Sequence, residues 1–417
     1  MTNAIRTIAL ALSLALAVST ASAAETLPGF RLDVLGPANG YLTSLAVDSK
    51  GTVYYTGQNG YIYRFENGRS TPIVKIAASL GISDAGLLGM ALLSDDTAAV
   101  HYTLPTADGE GTMYDVVSRI DLRSGTETLL KKFACDVEVP ERGASMKHHG
   151  GNPVPAADGS FFVGLGEYGG RIIAQLPNWN GGKIWRVYAD GTAEQYVIGM
   201  RNPFDFVWDA PRQRLIIPDN GDDGDELCVV QKGGNCGYPW AFGNQPHLFG
   251  ATAPLYVWTN TISPCGTIEA AGRNDQLRSG IIVVGFVSKA VHYIPDVDAK
   301  PLPDPLVVVQ ATAKDGGEFV DIAEAPDGTF YLGDGFTIYR MTTPMRGDCD
   351  GNGAVNNDDL TALARELADA PEARMNAQNG TYRGSWGCDV NGDDRIDSED
   401  LAALSRMLIR PRAVRRR

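Results

Sequence analysis

Leu45-Ala46-Val47-Asp48-Ser49-Lys50-Gly51-Thr52-Val53-Tyr54-Tyr55, followed by Gly60-Tyr61-Ile62-Tyr63-Arg64-Phe65, is one copy of a phrase that recurs along this chain. An apolar strand ends in a turn with Asp or Gly, a second strand leads to a glycine turn, and a third strand follows. Pro155–Gly164 with Gly182–Val187 is another copy, Phe206–Asp209 with Arg214–Ile217 a third, and Ala325–Leu332 with Thr337–Arg340 the last. Short alternating strands joined by Asp-Gly turns predict antiparallel hairpins. Irregular recurrence from Tyr41 to Met341 predicts an all-β, six-bladed β-propeller over residues 30–341. An array of β-sandwiches is the competing architecture, but it requires linkers between units that this region lacks. A short helix is expected around Ala77–Leu80.

The flanks carry different signals. Arg6, the apolar run Ile8–Val18 and the small residues Ala21-Ser22-Ala23 have the order of a secretory signal peptide, residues 1–23. The run is too short to span a bilayer, so a secreted, periplasmic or extracellular protein is expected. A formal charge of −14 argues against nucleic acid or an anionic membrane as partner. The arginines of the last eight residues form a basic tail. Six cysteines in a secreted chain suggest bridges. Cys228 and Cys236 are close enough to close a small loop. Cys349 and Cys388 occupy matching places and are candidates to tie the C-terminal repeats together, leaving Cys135 and Cys265.

Residues 346–410 hold two twelve-residue acidic loops in tandem. Ca²⁺ takes six to eight oxygens, supplied in such a loop from positions 1, 3, 5, 7, 9 and 12. These are Asp348, Asp350, Asn352, Ala354, Asn356 and Asp359 in the first loop, and Asp389, Asn391, Asp393, Arg395, Asp397 and Asp400 in the second. Gly353 fits the sharp turn at position 6, where the second loop has Asp394. Each loop runs into a leucine-rich helix (Leu360, Leu363, Leu367; Leu401, Leu404, Leu408). Position 12 is Asp rather than Glu, and no helix precedes either loop. The pattern resembles dockerin modules, a small α-helical calcium-binding domain that docks onto cohesin domains. The resemblance implies a cohesin-type partner, with Asn357, Asp358, Ser398 and Glu399 near its surface. The insert Ala370–Trp386 is longer than a simple linker, whereas Thr342–Gly347 is short enough to hold the two domains close.

Four loop clusters in the large domain carry chemistry: Asp84–Ala91, Lys147–Asn152, Gly199–Phe204, and Asp219–Leu227 running on to Trp240. His148 or His149 can act as a general base near neutral pH, or serve as a hydrogen-bonded turn histidine. Arg201 with Asn202 can bind an anionic or quinone oxygen, or Arg201 can pair structurally with a nearby Asp. The Asp219–Glu226 run offers oxygens for a further Ca²⁺, or forms a solvated acidic loop. No Ser-His-Asp order, Cys-x-x-Cys pair or phosphate-binding glycine loop is legible.

Taken in series, Gly-Leu-Leu-Gly, His-x-Gly-Gly, Arg-Asn-Pro, Asp-Glu-Leu and Asn-x-Gly-Tyr-Pro resemble the soluble PQQ-dependent aldose sugar dehydrogenases of the glucose/sorbosone dehydrogenase family. The resemblance implies pyrroloquinoline quinone (PQQ) and Ca²⁺ as cofactors and a small sugar as substrate. His148 falls on the family's catalytic base, Asp84 on a position usually Gln or Glu, and Arg201 and Asn202 on cofactor-contacting residues. Gly221 and Asp222 fall on backbone carbonyls that hold Ca²⁺. Three departures stand against this. Asn152 replaces the arginine that usually follows His-x-Gly-Gly, Glu318–Ile322 lacks the cations that would hold PQQ carboxylates, and only Lys289 is a candidate for the family lysine. Two readings follow: a quinoprotein oxidising a sugar at C1, or a non-catalytic propeller that binds carbohydrate or protein.

Overall fold

The computed structural model describes residues 26–27, 29–77, 84–104, 113–135, 147–222, 224–243, 245, 250–311, 316–369, 386–393 and 395–409. Six four-stranded antiparallel sheets follow one another along the chain. Blades 1 to 5 cover 42–75, 87–134, 153–198, 207–258 and 264–310. Blade 6 takes three strands from 319–342 and its outermost strand, Arg31–Pro37, from the other end of the propeller sequence. Arg31 pairs with Thr342 and Pro37 with Thr337, so backbone hydrogen bonds close the ring. This is the six-bladed propeller predicted.

The first strand of each blade packs on the first strand of the next, forming a closed ring around the axis. Burial follows this order: Leu42–Val47, innermost in blade 1, is almost wholly buried, whereas its outermost strand Arg69–Lys75 is mostly exposed. The recurrent Asp anchors the first hairpin turn. Asp48 accepts the Lys50 and Thr52 amides at 2.9 and 2.8 Å, Asp158 that of Ser160 at 3.0 Å, and Asp327 that of Thr329 at 3.0 Å. Gly51, Gly159 and Gly328 follow in the left-handed region, with φ of +86°, +82° and +83°. The four quoted copies are blades 1, 3, 4 and 6. Blades 2 and 5 are not among them. The leader, most of the helix expected at 77–80, most of the 370–386 insert, Asp394 and the basic tail lie outside the described residues.

Beyond the propeller, helices α1 (Asn357–Asp369) and α2 (Ser398–Ile409) each start at the tenth position of an acidic loop. Leu363 and Leu404 are fully buried, and they join one core with Phe30, Tyr293, Tyr339 and Trp386. The Trp386 ring meets Phe30 at 5.4 Å and Tyr293 at 5.7 Å. Arg278 donates to the Gly392 carbonyl at 2.9 Å. This packing and hydrogen bond hold the helices against the propeller. Among the cysteines, Cys228 and Cys236 form the predicted disulfide. Cys349 and Cys388 do not: both are buried thiols, with Cys388 Sγ directed at the Glu366 carboxylate (3.4 Å) and the Cys349 carbonyl (3.9 Å). The repeats are joined by shared core packing instead.

Candidate functional site

One mouth of the central channel opens into a cavity of about 520 Å³. Its walls come from the loops leading into the innermost strands and from turns between second and third strands, so blades far apart in sequence all reach it. Asp84, His148, Arg201 and Asn202, four residues singled out in the sequence, line it together. The His148 loop is pressed into blade 3 because its glycines leave no room for anything else. A Cβ at Gly150 would overlap the Gly164 carbonyl oxygen, and one at Gly151 that of Phe204. His148 itself has φ of +58°, a strained backbone that the Asp84 carboxylate secures by accepting its amide at 2.9 Å. Its ring Nδ1 is 2.7 Å from Glu167 Oε1, and Glu167 is buried and also accepts the Gly169 amide. A carboxylate at that distance fixes the proton on Nδ1 and leaves Nε2 as the accepting nitrogen. The sequence reading missed Glu167. Its signal was a single acid among glycines in Gly164-Leu165-Gly166-Glu167-Tyr168-Gly169-Gly170.

Arg201 stands beside this pair. Its Nε donates to Asp222 Oδ1 at 2.8 Å and its Nη1 to the Asn220 carbonyl at 3.2 Å. Asp222 also meets Arg171 at 2.6 Å and the Tyr238 hydroxyl at 3.2 Å. Its carboxylate is thus taken up by cations, and a Ca²⁺ at Gly221 and Asp222 would have main-chain carbonyls to use. Asp219, Asp225 and Glu226 of this run are buried and hydrogen-bonded rather than solvated. Asp219 accepts the Arg201 and Asn202 amides at 2.7 and 2.8 Å, Asp225 those of Gly221, Ile262 and Ser263, and Glu226 that of Gly243. Burial pushes Asp219 up to about 7 and Glu226 up to about 8. These carboxylates shape the loops that carry the cavity residues.

The opposite wall is neutral: Ser263, Cys265, Phe286 and Val320. Lys289 is not among the lining residues, and its ammonium lies 3.3 Å from Glu318. Deeper in the channel, Asn152 donates to Asp205 Oδ2 and Asp321 Oδ2, each at 3.1 Å. An amide thus sits between two buried carboxylates where the family resemblance leads one to expect a guanidinium. Burial, then the charge of Asp321, raises Asp205 well above the usual carboxylate range, and burial pushes Asp321 up to about 6. The cavity's donors and hydrogen-bonded histidine fit a planar quinone acid on the Arg201 side. Among the described residues lining the neutral wall, no cation answers its remaining carboxylates.

The two acidic loops supply oxygen donors alone. Carboxylate oxygens of Asp348, Asp350 and Asp359 converge within 4.8 Å of one another. Asp359 accepts the amides of Cys349 and Asn356 at 2.8 and 2.7 Å, and Asp400 those of Val390 and Asp397, both at 2.8 Å. Position 12 therefore ties each loop's start to its end, the same way in both repeats. Burial raises Asp348 and Asp400, which a bound dication would offset. This hard-oxygen set fits Ca²⁺. Asn357, Asp358, Ser398 and Glu399 are all exposed.

Residues 41–335 match the Glucose / Sorbosone dehydrogenase family, and residues 346–409 match the dockerin type I domain. Among solved structures, the soluble aldose sugar dehydrogenase of Escherichia coli in its apo form is 19% identical, with a TM-score of 0.64 over 75% of this chain and 99% of that one. The PQQ-bound aldose sugar dehydrogenase of Streptomyces coelicolor is 22% identical, with a TM-score of 0.61 over 76% and 99%. At these identities the likeness establishes the fold. An uncharacterized protein of Synechocystis sp. is 27% identical over 210 residues, 44% of this chain. The chain spans about half the length of that curated relative (48%).

Proposed function

Because the chain belongs to the glucose/sorbosone dehydrogenase family, we propose that its propeller oxidises an aldose or related sugar at C1, using PQQ and Ca²⁺. We further propose that the leader at residues 1–23 exports it and that the dockerin domain tethers it to a cohesin-type partner. The observation that carries the catalytic reading is the His148–Glu167 pair facing the same cavity as Arg201. His148 Nε2 accepts the proton of the sugar C1 hydroxyl, and Glu167 stabilises the imidazolium that results. Bound PQQ supplies the acceptor for the hydride that C1 loses. Asn202 Oδ1 accepts the Gly150 amide at 3.3 Å, which turns its NH₂ to other acceptors. Arg201, held by Asp222 and Asn220, keeps its guanidinium fixed as a donor to quinone or sugar oxygens. Gly221 and Asp222 would hold a Ca²⁺ through their main-chain carbonyls, and that ion would polarise the quinone.

The test is reconstitution of the purified protein with PQQ and Ca²⁺, followed by aldose oxidation with an artificial electron acceptor. Turnover is expected, with His148→Ala lowering kcat by about 10²–10⁴-fold. Failure to take up quinone, or equal turnover in the variant, defeats the reading. The neutral wall of Ser263, Cys265, Phe286 and Val320 supports the second reading, a propeller that binds carbohydrate or protein without redox chemistry. That reading predicts sugar binding by calorimetry with no turnover.

For the tether, scanning calorimetry of the full chain is expected to show a module transition in Ca²⁺ that EDTA lowers by at least about 10 °C, since ion binding stabilises only the folded loops. An unchanged thermogram in EDTA removes the calcium claim.

A further inference from the structure

Behind His148 lies a second cluster of reactive side chains that the proposed chemistry leaves unused. Strand Thr97–Leu104 contributes His101, and its neighbour Tyr114–Asp121 contributes Asp115. Strand Glu127–Ala134 leads directly into Cys135, and the loop before blade 3 brings His149. All four are essentially inaccessible to solvent. Donor atoms of Asp115, Cys135 and His149 all lie within 4.8 Å of one another. His149 Nδ1 is 3.0 Å from Asp115 Oδ1, Cys135 Sγ is 3.9 Å from His149 Nδ1, and His101 Nε2 is 3.8 Å from the same Asp115 oxygen. A tetrahedral ion with bonds of roughly 2.0–2.3 Å holds its ligand atoms roughly 3.3–3.8 Å apart.

The protonation pattern points to a cation independently. His101 Nδ1 lies 2.9 Å from the Gly151 carbonyl, which can only accept, so Nδ1 carries the hydrogen. In the neutral ring the lone pair is then on Nε2. That nitrogen is buried and has no hydrogen-bond partner, and it faces a buried carboxylate oxygen. Two electron-rich atoms opposed in this way call for positive charge between them. The outer partners are also of the kind that orient metal ligands: a backbone carbonyl on His101, and the Tyr168 hydroxyl on Asp115 Oδ2 at 2.7 Å. A hydrogen-bonded cluster alone would account for Asp115 with His149 and Tyr168. It would leave His101 Nε2 without a partner.

We propose that His101, Asp115, Cys135 and His149 form a binding site for a divalent transition metal of the zinc class. A thiolate with two imidazoles selects such an ion over Ca²⁺, which takes six to eight oxygens. Binding releases the Cys135 thiol proton to solvent. Thiolate and carboxylate together then cancel the charge of a dication, as a buried site requires. Three convergent donors, with His101 adjoining them through Asp115, and burial from solvent make the site structural. Because His149 adjoins His148, the ion would clamp the loop that carries the proposed base.

The test uses the full-length protein, stripped with a strong chelator and then given one equivalent of Zn²⁺ or Co²⁺ with excess Ca²⁺ to fill the oxygen loops. After desalting, one zinc per chain is expected by elemental analysis. The cobalt form is expected to show the intense near-ultraviolet thiolate band and the visible bands of a tetrahedral ion. Cys135→Ser should lose the near-ultraviolet band, Cys349→Ser should keep it, and His101→Gln should weaken zinc binding by at least about tenfold. The wild-type spectrum decides even if a variant fails to fold. A cobalt spectrum like that of the hydrated ion, no retained zinc, or a thiolate band that survives in a folded Cys135→Ser protein overturns the proposal. Metal content is read without any activity assay, so failure of the quinone reading leaves this test intact.

Discussion

The two walls of the cavity differ in kind. On the blade 3 and blade 4 side, every polar group is held by another: His148 by Glu167 and Asp84, Arg201 by Asp222 and Asn220, and the backbone beneath them by Asp219. On the blade 5 and blade 6 side, Cys265, Phe286 and Val320 present no charge, and the nearby Lys289 faces Glu318. On the proposed function, the organised wall would serve proton transfer and oxygen recognition, and the neutral wall would contact an uncharged surface. Chemistry and affinity are therefore separable here, and each can be altered without the other.

The largest effect is expected on the organised wall. Glu167→Gln keeps a hydrogen-bond acceptor on His148 Nδ1 but removes the charge that stabilises the imidazolium. It should lower kcat about a hundredfold with little change in KM, and shift the acid limb of the pH–rate profile. A KM effect without a kcat effect would assign Glu167 to binding instead. The neutral wall should respond in the opposite way. Glu318 is exposed and close enough to raise the Tyr41 hydroxyl at the cavity edge, though burial is the main cause of that rise, to about 12. Glu318→Lys reverses that charge and frees Lys289. It is expected to tighten PQQ binding about tenfold or more, each charge-assisted contact contributing roughly 1.5–3 kcal/mol. Unchanged affinity in a binding titration would show that the quinone does not reach this wall.

A further effect belongs to the buried acids around the cavity. Asp321, Asp205, Asp219 and Glu226 all have raised folded-state values, for which burial is the first cause. Between about pH 4 and pH 8 the folded state holds protons that the unfolded chain has released. Stability is therefore present below the unfolded carboxylate range and declines as pH rises through the folded values of about 6, 7 and 8. Melting of the EDTA-treated protein should occur several degrees lower at pH 8 than at pH 5, with each group contributing on the order of 1–3 kcal/mol. A melting temperature that rises over this interval would mean that these acids are paired with cations.

The residues that sequence could identify are those whose role is local. Asp48, Asp158 and Asp327 announce hairpin turns because each carboxylate bonds amides two or more residues ahead. The calcium loops are legible because their oxygens follow a fixed spacing within twelve residues. Blades 2 and 5 escaped because their first hairpin turns lack that signature, and their strands are fixed instead by pairing within buried sheets. Cys349 and Cys388 misled because matching positions in two repeats predict proximity, not bond geometry.

The chain by itself determined the repeating hairpins, the acidic tandem and the identity of His148, Arg201 and Asn202 as candidates. Each of these is a short-range pattern of turn chemistry, periodicity or ligand spacing. Only the tertiary structure decided that Glu167 backs His148, that Asn152 lies between Asp205 and Asp321, and that His101, Asp115, Cys135 and His149 meet behind the cavity. Those contacts join different strands and loops brought together when the blades close on themselves. Which side chains then face one another depends on register and burial across the ring, and no local spacing encodes either.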